Sequence, residues 1–562
     1  MGPGRRGEAL ALAVLLVASL ALRLQGIGFG LPNLECRPDE SRILTLALGF
    51  WDGDLDPHFF RYPTLYPYLA SATFGVDLAA AALGPGDALD AFAARRAQQP
   101  ERFLLLARVL TALLGTASVA LLWVAAARAL GVLEAWGASA LLAVSHLHVR
   151  DSHFATTDVP MTAFIVAALV PLAAIARGAG PGAYAAAGAL AGFAASTKYA
   201  GALLTLPVAL AHLLAPGQPL AARLLDRRLL LFGAALGAAF LAGSPFALGD
   251  PAFFWRELRF EAEHLEAGHL VDVGSGFARH LSFSLRYGVG APALLAAGVG
   301  LVVLAWRAPR TAAVLFAFPL AYYALIGRGR TAFVRYAIPL VPFACLAAAL
   351  AIAALARWLS PRMRLAIAPV GAVLFGAVAL PPLVTSIGHG SLLARKDTRL
   401  LAREWLDAHV ASGAPIYQSG QSWGKVQLPP SWDLLALQYP ARNDLRKRLQ
   451  KARLNRGGPG FDEWTFKSGR FHVNEAPVDG APEWIVLQEH PLRRFTEVPD
   501  EVRALVASAY EPVARYEGTS AAVPGGAFDV QDAFFVPYAP VAGVVRPGPN
   551  LSVYRRRSAE RP

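Results

Sequence analysis

The sequence predicts an α-helical polytopic membrane protein of about eleven transmembrane helices, followed by a C-terminal extracytoplasmic α/β domain. Three observations support this fold class. Of the 562 residues, 55% are hydrophobic and only 16% are charged, whereas soluble proteins carry roughly 25% charged residues. Apolar runs recur through the first 386 residues, and a helix needs about 20 apolar residues to cross a bilayer. Beyond these runs the density of charged residues rises, which indicates a domain in water.

The apolar runs define the predicted spans in chain order. The first run follows Arg5 and Arg6 and is similar to a secretory signal, but it lacks a small-x-small cleavage site. It is therefore predicted to be an uncleaved span. The predicted spans are 9–26, 104–127, 132–149, 159–177, 183–197, 200–215, 229–247, 288–306, 312–326, 336–356 and 365–386. Alanine and other small residues are abundant in them, which favours close helix packing in lipid.

Positive charge in the short loops predicts the orientation. The basic residues in these loops are Arg223, Arg227, Arg228, Arg307, Arg310, Arg357, Arg362 and Arg364. All of these residues fall on the cytoplasmic side if the N-terminus is cytoplasmic. Eleven crossings then place the C-terminal domain in the periplasm or outside the cell. The expected location is the inner or plasma membrane. We assign the net charge of +12 to loops and surface and expect membrane lipids, not nucleic acid, as partners.

One apolar segment, "PTLYPYLASATFGVDLAAAALG" at 63–84, does not fit this alternation. If it crossed the membrane once, every later basic loop would fall on the wrong side. We therefore interpret it as an interfacial or re-entrant element inside a long outer loop, 28–102. A second long outer loop is predicted at 248–287. The predicted division is a transmembrane module at 1–386 and a C-terminal domain at 387–562.

The C-terminal domain shows both helical and strand patterns. "KDTRLLAREWLDAHV" at 396–410 predicts an amphipathic helix, and "EWIVLQ" at 483–488 predicts a strand. "DLRKRLQKARLNR" at 444–456 is interpreted as a solvated helix, with membrane-surface contact as the alternative. "YQSGQSWGKVQLPPSWD" at 417–433 matches no acceptor-binding motif that we recognise, so the role of this domain is open.

The chain contains two cysteines, Cys36 and Cys345, far apart in the predicted topology. We expect no disulfide and no cysteine metal site. No nucleotide-binding loop, dinucleotide fingerprint or zinc spacing is present. No cofactor is therefore required, although outward-facing carboxylates are compatible with a divalent ion such as Mg²⁺ or Mn²⁺.

Ionisable residues gather at the predicted outer ends of the spans, where they are functional candidates by default. Carboxylates there can accept a proton from a nucleophile, and arginine and lysine can bind a lipid phosphate. The candidates are Asp39, Glu40, Arg61, Arg150, His153, Asp158, Lys198, Arg330 and Arg335. Together they suggest group transfer from a lipid phosphate to an acceptor outside.

Several of these candidates also have a structural explanation. Asp39 and Glu40 could be solvated loop residues, and Asp158 could cap the helix that follows it. Lys198 could extend its side chain to the interface, and Arg330 could be an ordinary loop charge. His153 could be a hydrogen-bonded structural residue rather than a metal ligand.

The stretches "RPDESR", "FRYPTLYPYLA", "HVRDSHFATTDVPMT", "ASTKYAG" and "RYAIPLVPF" occur in this order through most of residues 1–386. In this respect the chain resembles the GT-C class of membrane glycosyltransferases. More narrowly, it is similar to the family-39 group of protein O-mannosyltransferases and aminoarabinose transferases, which use polyprenyl-phosphate sugars. The resemblance implies a hexosyl- or pentosyl-type transferase of the cell envelope. It also implies a role in protein glycosylation.

The resemblance also implies roles for individual residues. Asp39 would be the base that activates the acceptor, with Glu40 positioning the substrates and Asp158 as the second outer-loop acid. Lys198 and the Arg335–Tyr336 pair would hold the lipid phosphate. The implied reaction is an inverting displacement with phosphate as the leaving group. The sugar and the acceptor, whether protein, lipid or glycan, are not indicated.

Two other classes of function share the same composition. A transporter or flippase for an amphiphilic solute would also have many spans and intramembrane charges, but such proteins often contain internal repeats. Here we detect no repeat, and the charges gather at one face. A non-catalytic assembly subunit is the third interpretation, and it predicts that replacement of Asp39 has no effect on transfer.

Overall fold

The computed structural model describes residues 3–215, 220–438 and 458–557. The basic segment 444–456 lies outside these ranges. Contacts divide the chain into two compact units. The first unit contains residues 1–27, 42–73 and 106–391, and the second contains residues 28–41, 74–105 and 392–562. The domain boundary at 386/387 remains a prediction.

Helices account for nearly all regular structure before residue 410. They are α1 (Pro3–Leu24), α2 (Glu40–Gly49), α3 (Leu65–Thr73), α4 (Gly75–Ala82), α5 (Ala88–Gln98), α6 (Pro100–Ala129), α7 (Val132–Val144), α8 (His146–Asp151), α9 (Asp158–Ile175), α10 (Pro181–Thr197), α11 (Thr205–Leu214), α12 (Leu220–Leu224), α13 (Arg227–Gly243), α14 (Pro251–Ala267), α15 (Gly276–Arg279), α16 (Arg286–Val289), α17 (Ala291–Arg307), α18 (Pro309–Arg328), α19 (Val341–Met363), α20 (Ile367–Leu393) and α21 (Thr398–His409). Short 3-10 segments include Tyr199–Leu204 and Val334–Leu340, and a π-helical turn covers His280–Leu285.

Each predicted span overlaps a helix of the structure. Within the described ranges, six helical stretches are long and apolar enough to cross a membrane, at Arg6–Leu24, Pro100–Ala129, Asp158–Ile175, Pro309–Arg328, Val334–Met363 and Ile367–His409. The fifth joins the 3-10 segment before α19 to that helix, and the sixth contains α20 and α21. The bent pair Gly276–Val289 and Ala291–Arg307, with 112° between its halves, makes seven if it counts as one span. The polytopic helical fold is therefore confirmed, and the count of eleven remains a prediction.

The segment 63–84 forms two short helices instead of one long helix. α3 has nine residues and α4 has eight, with a break at Phe74. A membrane-spanning helix needs about 20 residues, so neither helix is long enough to cross alone. This agrees with our exclusion of 63–84 from the spans, while its interfacial placement remains a prediction.

Small residues bring α10 and α13 into backbone contact in the first unit. Gly188 and Gly192 of α10 are spaced as in a GxxxG motif. A Cβ atom on Gly188 would lie 2.3 Å from the carbonyl oxygen of Phe232, and one on Gly192 would lie 2.3 Å from that of Leu236. Only glycine fits at these two positions, because the opposing atoms belong to the backbone of α13 and cannot move away by a change of rotamer.

We expect Gly192→Leu to lower the thermal stability of the detergent-purified protein. A side chain at this position must push α13 away, and overpacking of this kind costs about 1–3 kcal/mol. The matched control is Gly233→Leu on α13, because a Cβ atom built on this glycine has no atom within 4 Å apart from its chain neighbours and its own helix backbone. Equal melting temperatures for the two variants would contradict the close approach of α10 and α13.

The second unit contains a seven-stranded mixed sheet among its described residues. Its strands are β1 (Pro415–Gln418), β2 (Asp462–Lys467), β3 (Arg470–Val473), β4 (Ala476–Val478), β5 (Trp484–Glu489), β6 (Tyr510–Tyr516) and β7 (Asn550–Arg556), in the order β4-β3-β2-β1-β5-β7-β6. β1 pairs in parallel with β2 and β5, and the other pairs are antiparallel. β5 confirms the strand predicted at 483–488.

Helices cover both faces of this sheet. Two further helices are α22 (Trp432–Gln438) and α23 (Asp500–Ala509). The apolar face of α21 packs on one side of the sheet, with Leu406 clustered against Ile416 and Val486. α23 packs on the other side, where Val502 contacts the cluster of Tyr417 and Ile485. Because successive strand residues point to opposite faces, the adjacent Ile416 and Tyr417 pack against the helices on the two sides of the sheet. The helix and sheet layers confirm the predicted α/β domain.

Candidate active site

Asp158 is the first residue of α9 and carries a buried carboxylate. Thr157 precedes it as the N-cap residue, and no side chain caps the helix there. The Asp158 side chain, 2% exposed, accepts a hydrogen bond from Lys198, with 2.6 Å between Nζ and Oδ1. The carboxylate therefore neutralises a cation instead of capping the helix by a hydrogen bond.

Lys198 lies at the break that the sequence predicts. α10 ends at Thr197, and a 3-10 segment begins at Tyr199, so the backbone of Lys198 is extended between two helical stretches. This break turns the ammonium group toward Asp158. The Nζ atom also lies 4.4 Å from the ring centroid of Tyr336, a distance at which the ring attracts a cation.

Arg335 adds a second cation to the same carboxylate. It lies in the 3-10 segment Val334–Leu340 and is 8% exposed. Its Nε atom is 4.0 Å from Oδ2 of Asp158, and its guanidinium carbon is 4.2 Å from the ring centroid of Phe333. The adjacent Tyr336 is fixed through its backbone, since its carbonyl accepts a 2.9 Å hydrogen bond from the Tyr322 hydroxyl.

We call Asp158, Lys198, Arg335 and Tyr336 the cation cluster. Its two cations outnumber its one carboxylate, so the cluster has a net positive charge. An ammonium group has three N–H donors, and the Asp158 contact uses one of those on Lys198. The cluster can therefore bind a phosphate oxygen where burial strengthens the attraction.

An aromatic row, not identified from the sequence, extends from the cation cluster. Its members are His264, His269 and Phe333. Ring centroids are 5.3 Å apart between His264 and His269, and 5.1 Å apart between His269 and Phe333. Phe333 in turn lies 5.4 Å from Tyr336. The two histidines, five residues apart in the predicted outer loop 248–287, were the signal that could have identified this row.

Arg330 and Arg61 have more exposed positions than Arg335. The backbone N–H of Arg330 donates to the carbonyl of Leu265 at 3.0 Å, which joins its loop to the end of α14. Arg61 is 3.3 Å from the Glu257 carboxylate, and its guanidinium lies 3.9 Å from the ring centroid of Phe260. Both arginines remain predicted candidates, and these contacts also fit loop-anchoring roles.

Arg150 lies in α8 and His153 follows that helix, and both side chains are buried. Arg150 forms an ion pair with Asp151, with 2.7 Å between Nη1 and Oδ2. The ring nitrogens of His153 lie 2.9 Å from the carbonyl oxygens of Val149 and Gln25. These contacts fit the alternative in which His153 is a hydrogen-bonded structural residue.

Asp39 and Glu40 belong to the second compact unit. Asp39 is half-buried and has a positive φ of 72°, and Glu40 begins α2 with a fully buried side chain. Nearby, burial raises the pKa of Glu35, and a hydrogen bond from the Ser41 hydroxyl opposes that rise. The loop therefore holds three carboxylates in different environments, and the one on Asp39 is partly accessible.

A buried ion pair anchors this loop within the second unit. Nη1 of Arg37 lies 2.7 Å from Oδ2 of Asp532, and the two side chains are 0% and 3% exposed. The Arg37 guanidinium also lies 4.8 Å from the ring centroid of Phe534. The sequence did not suggest this pair, because 495 positions separate its members. It fixes the backbone two residues before Asp39.

Comparisons with known proteins agree with this architecture. Residues 104–247 match the family described as "Dolichyl-phosphate-mannose-protein mannosyltransferase". This match contains Asp158 and Lys198 and ends before Arg335. No curated protein sequence matches the chain.

Two solved structures share the fold over nearly the whole chain. ArnT from Cupriavidus metallidurans, bound to undecaprenyl phosphate, is similar with a TM-score of 0.53 and 16% identity, covering 98% of both chains. The archaeal oligosaccharyltransferase AglB from Archaeoglobus fulgidus, in complex with an inhibitory peptide and a dolichol-phosphate, has a TM-score of 0.50 and 9% identity. That alignment covers 99% of this chain and 89% of AglB. The chain is therefore a polytopic membrane protein with the GT-C glycosyltransferase fold, as its motifs predicted.

Proposed function

We propose that this protein transfers a sugar from a polyprenyl-phosphate carrier to an acceptor on the outer face of the membrane. The observation that carries the proposal is the cation cluster, in which Lys198 and Arg335 approach the single carboxylate of Asp158. Excess positive charge at the end of a membrane helix suits a lipid-linked phosphate. The lipid phosphates bound to ArnT and AglB are of the same chemical class.

In this reaction Lys198 and Arg335 bind the phosphate that links the sugar to the lipid. The Asp39 carboxylate takes a proton from the acceptor hydroxyl or amine as that atom attacks the anomeric carbon. The bond from this carbon to the phosphate oxygen breaks, and polyprenyl phosphate leaves. Negative charge grows on the phosphate in the transition state, so the two cations stabilise it there. Attack opposite to the leaving group inverts the anomeric carbon.

The aromatic row and the acid loop supply further roles. His269 and Phe333 extend from the cation cluster, so we propose that they contact the sugar that the phosphate carries. Asp158 positions Lys198, and Glu40 helps to position the substrates. The proposed acceptor is a protein, lipid or glycan outside the cytoplasm, and the proposed orientation has the N-terminus inside and the C-terminal domain outside.

Release of polyprenyl phosphate by the purified full-length protein tests the proposal directly. A panel of polyprenyl-phosphate hexoses and pentoses is supplied with native membrane extract as the source of acceptor. We expect release from one donor class, which would identify the sugar. Absence of release from every donor, together with uptake of an amphiphilic solute into proteoliposomes, would favour the transporter interpretation.

We expect Arg335→Ala and Lys198→Ala to reduce the efficiency of transfer by about ten- to a hundredfold, since a hydrogen bond to a charged group is worth about 1.5–3 kcal/mol. Arg335→Lys should restore part of this loss because it keeps the charge and loses the planar fork. Steady-state kinetics with varied donor concentration measure the effect.

The matched control for this prediction is Arg328→Ala, an exposed arginine in the last turn of α18. It removes the same charge near the same loop and should leave the kinetics within about twofold, as expected for surface charges. A similar loss in Arg328→Ala and Arg335→Ala would show that the cation cluster has no special role.

A further inference from the structure

A cavity of about 370 Å³ lies between α6, α9, α11 and α18 in the first unit, with Leu346 of α19 also in its lining. It is partly open, and most of its lining is alanine, leucine and valine, as at Ala173 and Leu214. Two arginines and one threonine also line it, namely Arg177, Arg310 and Thr311. An apolar cavity with a few polar groups is the usual form of a small-molecule site.

The cavity lies at the opposite end of α9 from Asp158 of the cation cluster. Asp158 begins α9, and the cavity is lined by the last turns of that helix, up to Arg177 just beyond its end. α9 has 18 residues, and at about 1.5 Å per residue it is about 27 Å long, close to the hydrocarbon thickness. The cavity is therefore near the other membrane boundary and separate from the proposed donor site.

The charges at the cavity indicate the polarity of its ligand. Arg177 and Arg310 are exposed, and Nη1 of Arg177 donates to the carbonyl oxygen of Arg128 at 3.2 Å. That contact holds the Arg177 side chain against the end of α6. Arginine binds phosphate oxygens in a bidentate manner, and basic pockets between membrane helices on the cytoplasmic side bind anionic head groups.

We propose that this cavity binds an anionic phospholipid. One acyl chain enters the apolar interior, and the head-group phosphate lies between Arg177 and Arg310, with Thr311 as a further hydrogen-bond donor. With the predicted orientation, the lipid comes from the cytoplasmic leaflet. Its bound chain would contact the ends of four helices and hold them together at the end remote from the cation cluster.

Native mass spectrometry of the full-length protein tests this site. Phosphatidylglycerol and phosphatidylcholine are offered separately to the delipidated protein, and bound lipids are counted. We expect one retained phosphatidylglycerol, about ten times less retention in Arg177→Gln/Arg310→Gln, and little retention of phosphatidylcholine. Ala173→Phe, which fills the cavity and keeps both arginines, should also displace the lipid.

The matched control is Arg307→Gln/Arg362→Gln, which removes the same charge from the same predicted side at exposed positions outside the cavity lining. It should retain phosphatidylglycerol as the wild type does. Equal loss in the two double variants, or equal retention of the two lipids by the wild type, would overturn the proposal. So would polyprenyl phosphate displacing phosphatidylglycerol at equal concentration, because the cavity would then belong to the donor lipid.

Discussion

Asp39→Asn is expected to fold and to insert normally and to lose sugar transfer by about 10²- to 10⁴-fold, the usual contribution of a general base. Asparagine has nearly the same shape as aspartate but cannot accept the acceptor's proton. The loss should appear in kcat, with donor binding little changed, because the proposed phosphate contacts come from Lys198 and Arg335.

The backbone at Asp39 explains why asparagine is the right replacement. Asp39 has a φ of 72°, in the left-handed region where asparagine and aspartate are enriched several-fold among non-glycine residues. Asp39→Ala would combine the loss of the base with backbone strain, so its lower activity would have two causes. Asp39→Asn separates the chemistry from the folding, and its melting temperature should match that of the wild type.

The control is Asp54→Asn, which removes an exposed carboxylate from the same predicted outer loop. Asp54 is 64% exposed and pairs at the surface with His58, so its replacement should leave transfer unchanged. Full activity in Asp39→Asn would show that the base is elsewhere, and Asp158→Asn would be tested next. If Asp39→Asn and Asp158→Asn both released polyprenyl phosphate at the wild-type rate, the interpretation of the protein as a non-catalytic subunit would be supported.

Disruption of the ion pair between Arg37 and Asp532 should have the largest effect on stability. Each member is almost fully buried, and removal of one partner from a buried pair costs about 3–5 kcal/mol because the other charge remains in the interior. We expect Arg37→Ala and Asp532→Ala to lower the melting temperature of the full-length protein. Transfer should fall as well, since Arg37 fixes the backbone just before Asp39.

A double-mutant cycle makes this prediction specific. Arg37→Ala/Asp532→Ala should be less destabilised than the sum of the single variants, because it removes both buried charges of the pair together. The exposed pair Arg494–Glu497, with 55% and 71% exposure, provides the matched control. Arg494→Ala should cost less than about 1 kcal/mol. Strict additivity at the buried pair would show that the two side chains do not interact energetically.

The sequence by itself determined the class of the protein and the approximate positions of its long apolar helices. Every predicted span overlaps a helix, because long apolar stretches must form helices in lipid whatever their neighbours. The amphipathic helix at 396–410 and the strand at 483–488 were also local patterns and were found as α21 and β5. The order of the short motifs predicted the GT-C fold.

The sequence determined less about the site. It identified Asp158, Lys198, Arg335 and Tyr336 as separate candidates, and it left a structural alternative open for Asp158 and Lys198. These four residues come into contact through tertiary structure. Their contact depends on the packing of α9, on the break after α10 and on the 3-10 segment before α19. Distances between them depend on helix crossings, which no local pattern reports.

Two further features were recognised only in the tertiary structure. The aromatic row joins residues of the 248–287 loop to Phe333, and the ion pair of Arg37 and Asp532 joins the two ends of the chain within one unit. Hydrophobic periodicity is a property of neighbouring residues, so it can be read along the chain. Buried pairs between distant residues follow from how the helices and strands pack, and for that reason only the folded structure reveals them.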